Sequence, residues 1–152
     1  VRDNYTAVVT AKDASNPVHV ATSPFTLSRL IAFCPLYDPN QAKNKGTNYN
    51  ITVELCPGSG LQPRNLQLTA YLITDPATGG RFDPGDNDSG NANDGSLYRF
   101  RDVRTVGFTY NLTPTDFPGV PSPAGTKYLL WFTVKDRGTT IGIGNAAFTL
   151  SP

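Results

Sequence analysis

The chain has no methionine, a single glutamate (Glu54), a single histidine (His19), a single tryptophan (Trp131) and only two cysteines. One histidine excludes a multi-histidine metal site, and a Ser-His-Asp relay would rest entirely on His19, whose neighbours Val18 and Val20 read as ordinary strand. With one glutamate, acid/base work would need a pair of aspartates, and the dense ones lie in a stretch with no apolar walls to raise a pKa. Gly58-Ser59-Gly60 lacks the strand-turn-helix setting of a hydrolase nucleophile. No catalytic constellation is expected. Charged residues make up 16% and the net charge is +1, too little field to hold a phosphate backbone, so nucleic acid is not an expected partner. No apolar run approaches the ~20 residues of a membrane-spanning helix, and none of the 3.6-period stretches of Ala, Leu, Glu, Lys or Gln that make helices is present.

What the chain has instead is Thr, Asn, Ser, Gly and Pro around short alternating apolar rows. At 152 residues it suits one domain, of a size that buries roughly 70% of its unfolded surface and needs neither metal nor disulfide to fold. It begins at Val1, as a processed chain would, and the composition suits a secreted or cell-surface protein. Asn-x-Ser/Thr sequons stand at Asn4, Asn50, Asn87 and Asn111. By strand parity Asn50 and Asn111 sit on polar faces where a glycan would leave the core undisturbed, although chance alone gives about two such triplets in a chain of this composition.

The clearest element is a β-hairpin over Gly125 to Leu150. Tyr128, Leu130, Phe132 and Val134 alternate on one face, and Asp136-Arg137-Gly138 supplies the turn. Ile141 and Ile143 then hold one parity and Ala146, Phe148 and Leu150 the other, which predicts a β-bulge across Gly144-Asn145. Earlier strands are expected over Asn4 to Lys12, Val18 to Thr22, Phe25 to Phe33 (bracketed by Pro24 and Pro35), and Asn50 to Leu55. Later ones are expected around Leu66, Leu68, Ala70 and Leu72, around Tyr98 and Phe100, and over Val106 to Leu112. Pro35 to Tyr49 reads as a polar loop long enough to cross between sheets, Thr78 to Ser96 as a surface loop, and Pro114 to Pro123 as an irregular connection. The expected fold is all-β, a single antiparallel β-sandwich of about seven to nine strands.

The run Gly125-Thr126-Lys127-Tyr128-Leu129-Leu130-Trp131-Phe132-Thr133-Val134-Lys135-Asp136-Arg137-Gly138 resembles the penultimate strand and following turn of immunoglobulin-like and fibronectin-type modules. It covers about a tenth of the chain. The resemblance implies an adhesion, spacer or fibre-building unit without catalytic residues. There is no cysteine in this strand, so the cysteine-tryptophan-cysteine core of antibody domains is absent.

Cys34 and Cys56 each close a strand in a Cys-Pro pair. In an oxidising compartment they read as a disulfide worth roughly 3 kcal/mol in the chain-entropy model; two unpaired buried thiols are the alternative. In a simple antiparallel hairpin they would stand roughly 20 Å apart at ~3.4 Å per residue, beyond the reach of a disulfide. A bond therefore implies a different register. Asp83, Asp86, Asp88, Asn91, Asn93 and Asp94 gather the hard oxygen ligands that Ca²⁺ selects, but Gly90 falls one place early for an EF-hand and no bidentate Glu follows. A calcium site and a solvated acidic loop both stay open. Trp131 shares parity with Leu129 opposite the core set, which suits a partner interface or a sugar-stacking platform unless a neighbouring loop covers it.

Two function classes follow. One is a structural or adhesive subunit of an extracellular filament or surface layer, a homo-oligomer joined through sheet edges. The other is a carbohydrate-binding module with calcium assistance, for which only one exposed aromatic is evident. In the first class residues 1–12 are an exchangeable strand: it would bury Tyr5, Ala7, Val9 and Ala11 in a neighbour, with Asp13 to Pro17 as hinge. Pairing within its own chain is the ordinary alternative.

Overall fold

A computed structural model of the protein describes residues 5–12, 20–27, 29–44, 48–84, 93–102, 106–112 and 125–151. They form an all-β protein whose only helical element among them is a 3-10 turn at Pro63–Asn65. The strands are β1 (Tyr5–Lys12), β2 (Val20–Leu27), β3 (Phe33–Pro35), β4 (Ala42–Asn44), β5 (Tyr49–Leu55), β6 (Leu66–Thr74), β7 (Arg81–Phe82), β8 (Asn93–Asp94), β9 (Leu97–Arg101), β10 (Gly107–Leu112), β11 (Thr126–Asp136) and β12 (Thr139–Ser151).

Strands β3 to β12 belong to one sheet, in the order β3-β5-β10-β9-β6-β11-β12-β4, with β7 on β6 and β8 on β9. Alternation dictates its packing. Ile51 and Val53 of β5, Phe108, Tyr110 and Leu112 of β10, Leu66, Leu68 and Ala70 of β6, Tyr128 to Val134 of β11 and Ala146 to Leu150 of β12 place their inward members in one core cluster. The sheet therefore curls on itself into a half-barrel, and the expected sandwich of two separate antiparallel sheets is replaced by one curled, mixed sheet. Two parallel contacts make it mixed: β4 on the end of β12, and a bridge between Leu30 and Ile143.

That bridge closes the barrel's seam. Ile31 N donates to Ile143 O at 2.8 Å and Ile143 N donates to Arg29 O at 2.9 Å, while two residues on, Phe33–Pro35 pairs with Leu55–Val53 of β5. One segment thus ties both limbs of the curled sheet. The segment after Pro35, expected as a loop crossing between sheets, instead joins the two limbs of one sheet and contains β4: Tyr37 Oη donates to Ala147 O at 2.6 Å, Thr149 Oγ1 donates to Pro39 O at 2.8 Å, and β4 then pairs with β12.

Several boundaries differ from the alternation. Phe25 to Phe33 is not one strand: Phe25 and Leu27 end β2, which pairs with β1, whereas Phe33 starts β3. Pro24 lies inside β2 opposite Val8, a position open to proline because, among the described residues, β2 has a ladder partner on one side only. The hairpin β11-β12 turns on Arg137 and Gly138, both at positive φ (48° and 81°), the two-residue geometry whose twist matches its strands. Its bulge is not at Gly144-Asn145. The register slips between Val134 paired with Gly142 and Lys135 paired with Thr140, so Ile141 is the extra residue, and Gly142, Gly144, Ala146, Phe148 and Leu150 make one continuous inward row. A second bulge, at Tyr71 of β6, falls between Trp131 paired with Leu72 and Phe132 paired with Ala70. It turns Tyr71 outward and hands the core position expected of Leu72 to Ile73. Thr78 to Ser96 is not loop throughout, since β7 and β8 pair its two ends with β6 and β9.

Tyr98 places a polar conflict in the core. Tyr98 is 6% exposed and its hydroxyl has no hydrogen-bond partner among the described residues. Its ring lies 5.0 Å from that of Tyr110 and 5.0 Å from that of Phe132, and burial holds the phenol protonated far above its ordinary range. A buried unpaired hydroxyl costs about 1–3 kcal/mol. Tyr98→Phe, which keeps the ring, is therefore expected to be neutral or to stabilise by up to about 2 kcal/mol in urea unfolding. A loss above about 1 kcal/mol would show that the hydroxyl is bonded after all.

Candidate functional site

The two cysteines meet as a disulfide. Cys34 lies opposite Glu54 in the β3-β5 register, two residues from Cys56, and the Cα atoms of the two cysteines are 5.1 Å apart. The strands are antiparallel neighbours but not hairpin partners: short β3 meets the far end of β5, and the chain after it runs to β12, where β4 pairs, instead of folding straight back. Cys56 N also donates to Ala32 O at 3.2 Å, so the bond clamps the seam segment to β5. Beside it is an open cleft of about 230 Å³ lined by Arg29, Ile31, Cys56, Ser59 and Leu61, among others. That is below the ~300–1,000 Å³ of small-molecule pockets, and it has one charged side chain to orient a ligand.

The outer faces of the two limbs differ in chemistry. On β5, β10 and β9 the outward residues are polar: Asn50 stands directly opposite Asn111, and Thr52 opposite Thr109, with their hydroxyls 3.1 Å apart. Of the sequon asparagines, Asn50 is exposed and Asn111 is half-buried; Asn4 and Asn87 lie outside the described residues. On β6, β11 and β12 the outward positions Leu72, Leu129, Trp131, Ile143 and Ala147 are all half-buried. Trp131 pairs with Leu72 on one side and Asn145 on the other, and its indole N–H donates to Thr74 Oγ1 at 2.9 Å. The indole is tied down at its polar end, which suits an apolar contact surface better than a platform that must adjust to a sugar ring.

Of the proposed calcium ligands, Asp83 is exposed beside β7, and Asn93 and Asp94 form β8, paired to Tyr98 and Leu97. Asp86, Asp88 and Asn91 lie outside the described residues, as does His19. Among the described residues no three His, Cys, Asp or Glu side chains converge. Among the described residues the most organised carboxylate is Asp75, which lies outside the expected acidic loop. It directly follows β6, and its carboxylate accepts from Thr78 Oγ1 at 2.7 Å, from Ala77 N at 2.8 Å and from Thr78 N at 3.3 Å. Asp75-Pro76 followed by Thr and two glycines was the available signal for such a turn.

The Thr78 hydroxyl bond, followed by the backbone donors, holds the Asp75 carboxyl below its ordinary range despite its burial. A depressed folded-state pKa makes the carboxylate's contribution fully present above the unfolded value of about 3.9 and lost as pH falls through the lower folded value. Part of the acid destabilisation of the protein below about pH 4 is therefore expected to vanish in Asp75→Asn, measured as the difference in urea midpoint between pH 6 and pH 3. An unchanged difference would rule out this role.

The N-terminal strand pairs within its own chain, all along β2, from Tyr5 opposite Leu27 to Lys12 opposite Val20. It is not the first strand of the large sheet: β1 and β2 form a two-stranded sheet of their own. The hinge expected at Asp13 to Pro17 lies outside the described residues. Comparison with protein families, curated proteins and solved structures finds no match, so the immunoglobulin-like resemblance stands on the β11 run alone.

Proposed function

We propose that the protein is a non-catalytic structural or adhesive subunit of an extracellular filament or surface layer, in which the half-barrel serves as the sandwich-type building block and the N-terminal ribbon is the joining element. The observation that carries this reading is the separate β1-β2 sheet. A two-stranded ribbon is marginal by itself in water and gains from a third strand or an apolar surface. Its register sets Tyr5, Ala7, Val9 and Ala11 across from Leu27, Phe25, Ser23 and Ala21, so seven of these eight positions on one face are apolar. The disulfide supports an oxidising compartment, and the apolar outer row around Trp131 supplies a second surface of the kind that subunits bury.

Sedimentation velocity across a dilution series, with negative-stain microscopy of the same samples, tests the reading. Species heavier than the 16.4 kDa chain and regular particles are expected. A monomer at every concentration would overturn it.

A further inference from the structure

We infer that β1 joins edge to edge with β1 of a second copy, antiparallel across a twofold axis, making a four-stranded sheet β2-β1-β1-β2 that spans two molecules. This rests on the assembly reading above and names its partner and geometry. The argument begins with edges. An unpaired strand edge is a template for another chain, and folded proteins blunt such edges with short strands, proline, charge or a covering segment. The large sheet uses two of these: its outermost strands β3, β4, β7 and β8 are two or three residues long, and the outer side of β12 is covered by Arg29–Ile31 and by the Tyr37 hydroxyl on Ala147 O.

Among the described residues the ribbon has two outer edges, and they are not equivalent. β2 carries Pro24 at its middle, which cannot donate to a ladder and marks a protected edge. β1, Tyr5-Thr6-Ala7-Val8-Val9-Thr10-Ala11-Lys12, runs eight residues with no proline and one charge, at its very end. It is the longest unblunted edge among the described residues.

Self-pairing also satisfies the side-chain pattern. Antiparallel strands keep directly opposed residues on the same face, so a twofold axis through Val8 or through Val9 sets the row Tyr5, Ala7, Val9, Ala11 against its own copy, and the Thr6, Val8, Thr10 row against its own. In both registers the two Lys12 positions stay at opposite ends, so no like charges are opposed within β1 itself. A twofold contact of this kind uses the same patch on both molecules and closes at two copies, unlike head-to-tail exchange of the strand.

Charge reversal at Val8 tests the pairing. Val8 shares strand parity with Thr10, which is exposed, and a charge at this position is set beside its own copy at the axis while the Tyr5, Ala7, Val9, Ala11 row is left unchanged. Val8→Lys and Val8→Glu, each alone, are expected to weaken dimerisation about tenfold or more, and an equimolar mixture of the two is expected to restore it. A nitroxide on Thr10→Cys should report inter-copy distances of roughly 10–20 Å, from an offset of two to four residues at ~3.4 Å each and a strand spacing of ~4.8 Å. A wild-type monomer would sink both the assembly reading and this inference. Assemblies of wild-type size in Val8→Lys, a mixture that fails to recover, or distances only beyond about 30 Å would sink the β1-β1 pairing and leave the assembly reading standing.

Discussion

Replacing Gly142 by alanine is expected to destabilise the protein by roughly 3 kcal/mol, measured by urea unfolding, with little change in the slope of the transition. The glycine is inward on β12, and a Cβ placed on it would overlap the Arg29 carbonyl oxygen and sit 3.1 Å from Ile31 Cδ1. The obstacle is backbone, which cannot swing aside as a side chain can. Arg29 O is also the acceptor for Ile143 N, and Ile31 N donates back to Ile143 O, so relief of the overlap moves the segment that makes both bonds. Overpacking alone costs about 1–3 kcal/mol, and each displaced hydrogen bond about 1 more. Thr140→Ala, two residues earlier and exposed, is the control and should stay within about 0.5 kcal/mol. A Gly142→Ala protein as stable as that control would mean that the seam does not constrain β12.

Gly142 and Gly144 also explain the main misreading of the sequence. Hydrophobic alternation reports side chains, and at these two inward positions there are none: the space over Gly144 is taken by the Phe132 and Phe33 rings, 2.5–2.9 Å from where its Cβ would be. Ile143, outward on a limb whose outer face is apolar, and Ile141, the bulged residue packed at the margin of the core, supplied a false row and moved the expected bulge three residues along the strand. Where one face is plainly core, as in β5, β10 and β11, the period of two located the strands and their inward residues almost to the residue. The seam was invisible because its residues, Arg29 to Ile31, make parallel contacts with a strand more than a hundred positions away, for which alternation carries no signal. The split between β2 and β3 followed from the same cause, since Phe25, Leu27, Ile31 and Phe33 share one parity while belonging to two different sheets.

The candidate surfaces were legible in proportion to how local their determinants are. The Cys34–Cys56 pairing could be weighed by counting cysteines, and the outward parity of Trp131 by counting along one strand. The Thr74 partner that anchors the indole could not be read, because β6 reaches β11 through a bulge that shifts the register at that very pair. The N-terminal strand was recognised as separable, but its partner was not, because β2 shares its composition with the core strands and is marked off only by Pro24 and by the pairing itself.

Removing the disulfide as Cys34→Ala with Cys56→Ala is expected to cost roughly 3 kcal/mol, the chain-entropy value for a closed loop of this size, whose ends are 22 residues apart. If that were its whole effect, it would act through the unfolded chain and add to the cost of Gly142→Ala. The two changes converge on one element, however. The bond fixes the seam segment to β5 next to the Cys56 N–H to Ala32 O bond, and Gly142 fixes the same segment, three to five residues earlier, against β12. Once the cysteines are gone the segment can shift to admit a Cβ at a lower cost. The double-mutant cycle should therefore show the triple variant less unstable than the sum by about 0.5–3 kcal/mol, the range for residues coupled through a shared backbone shift. Strict additivity, within about 0.3–0.5 kcal/mol, would assign the disulfide to the unfolded state alone and would leave Arg29 to Pro35 as two independent contacts instead of one closing segment.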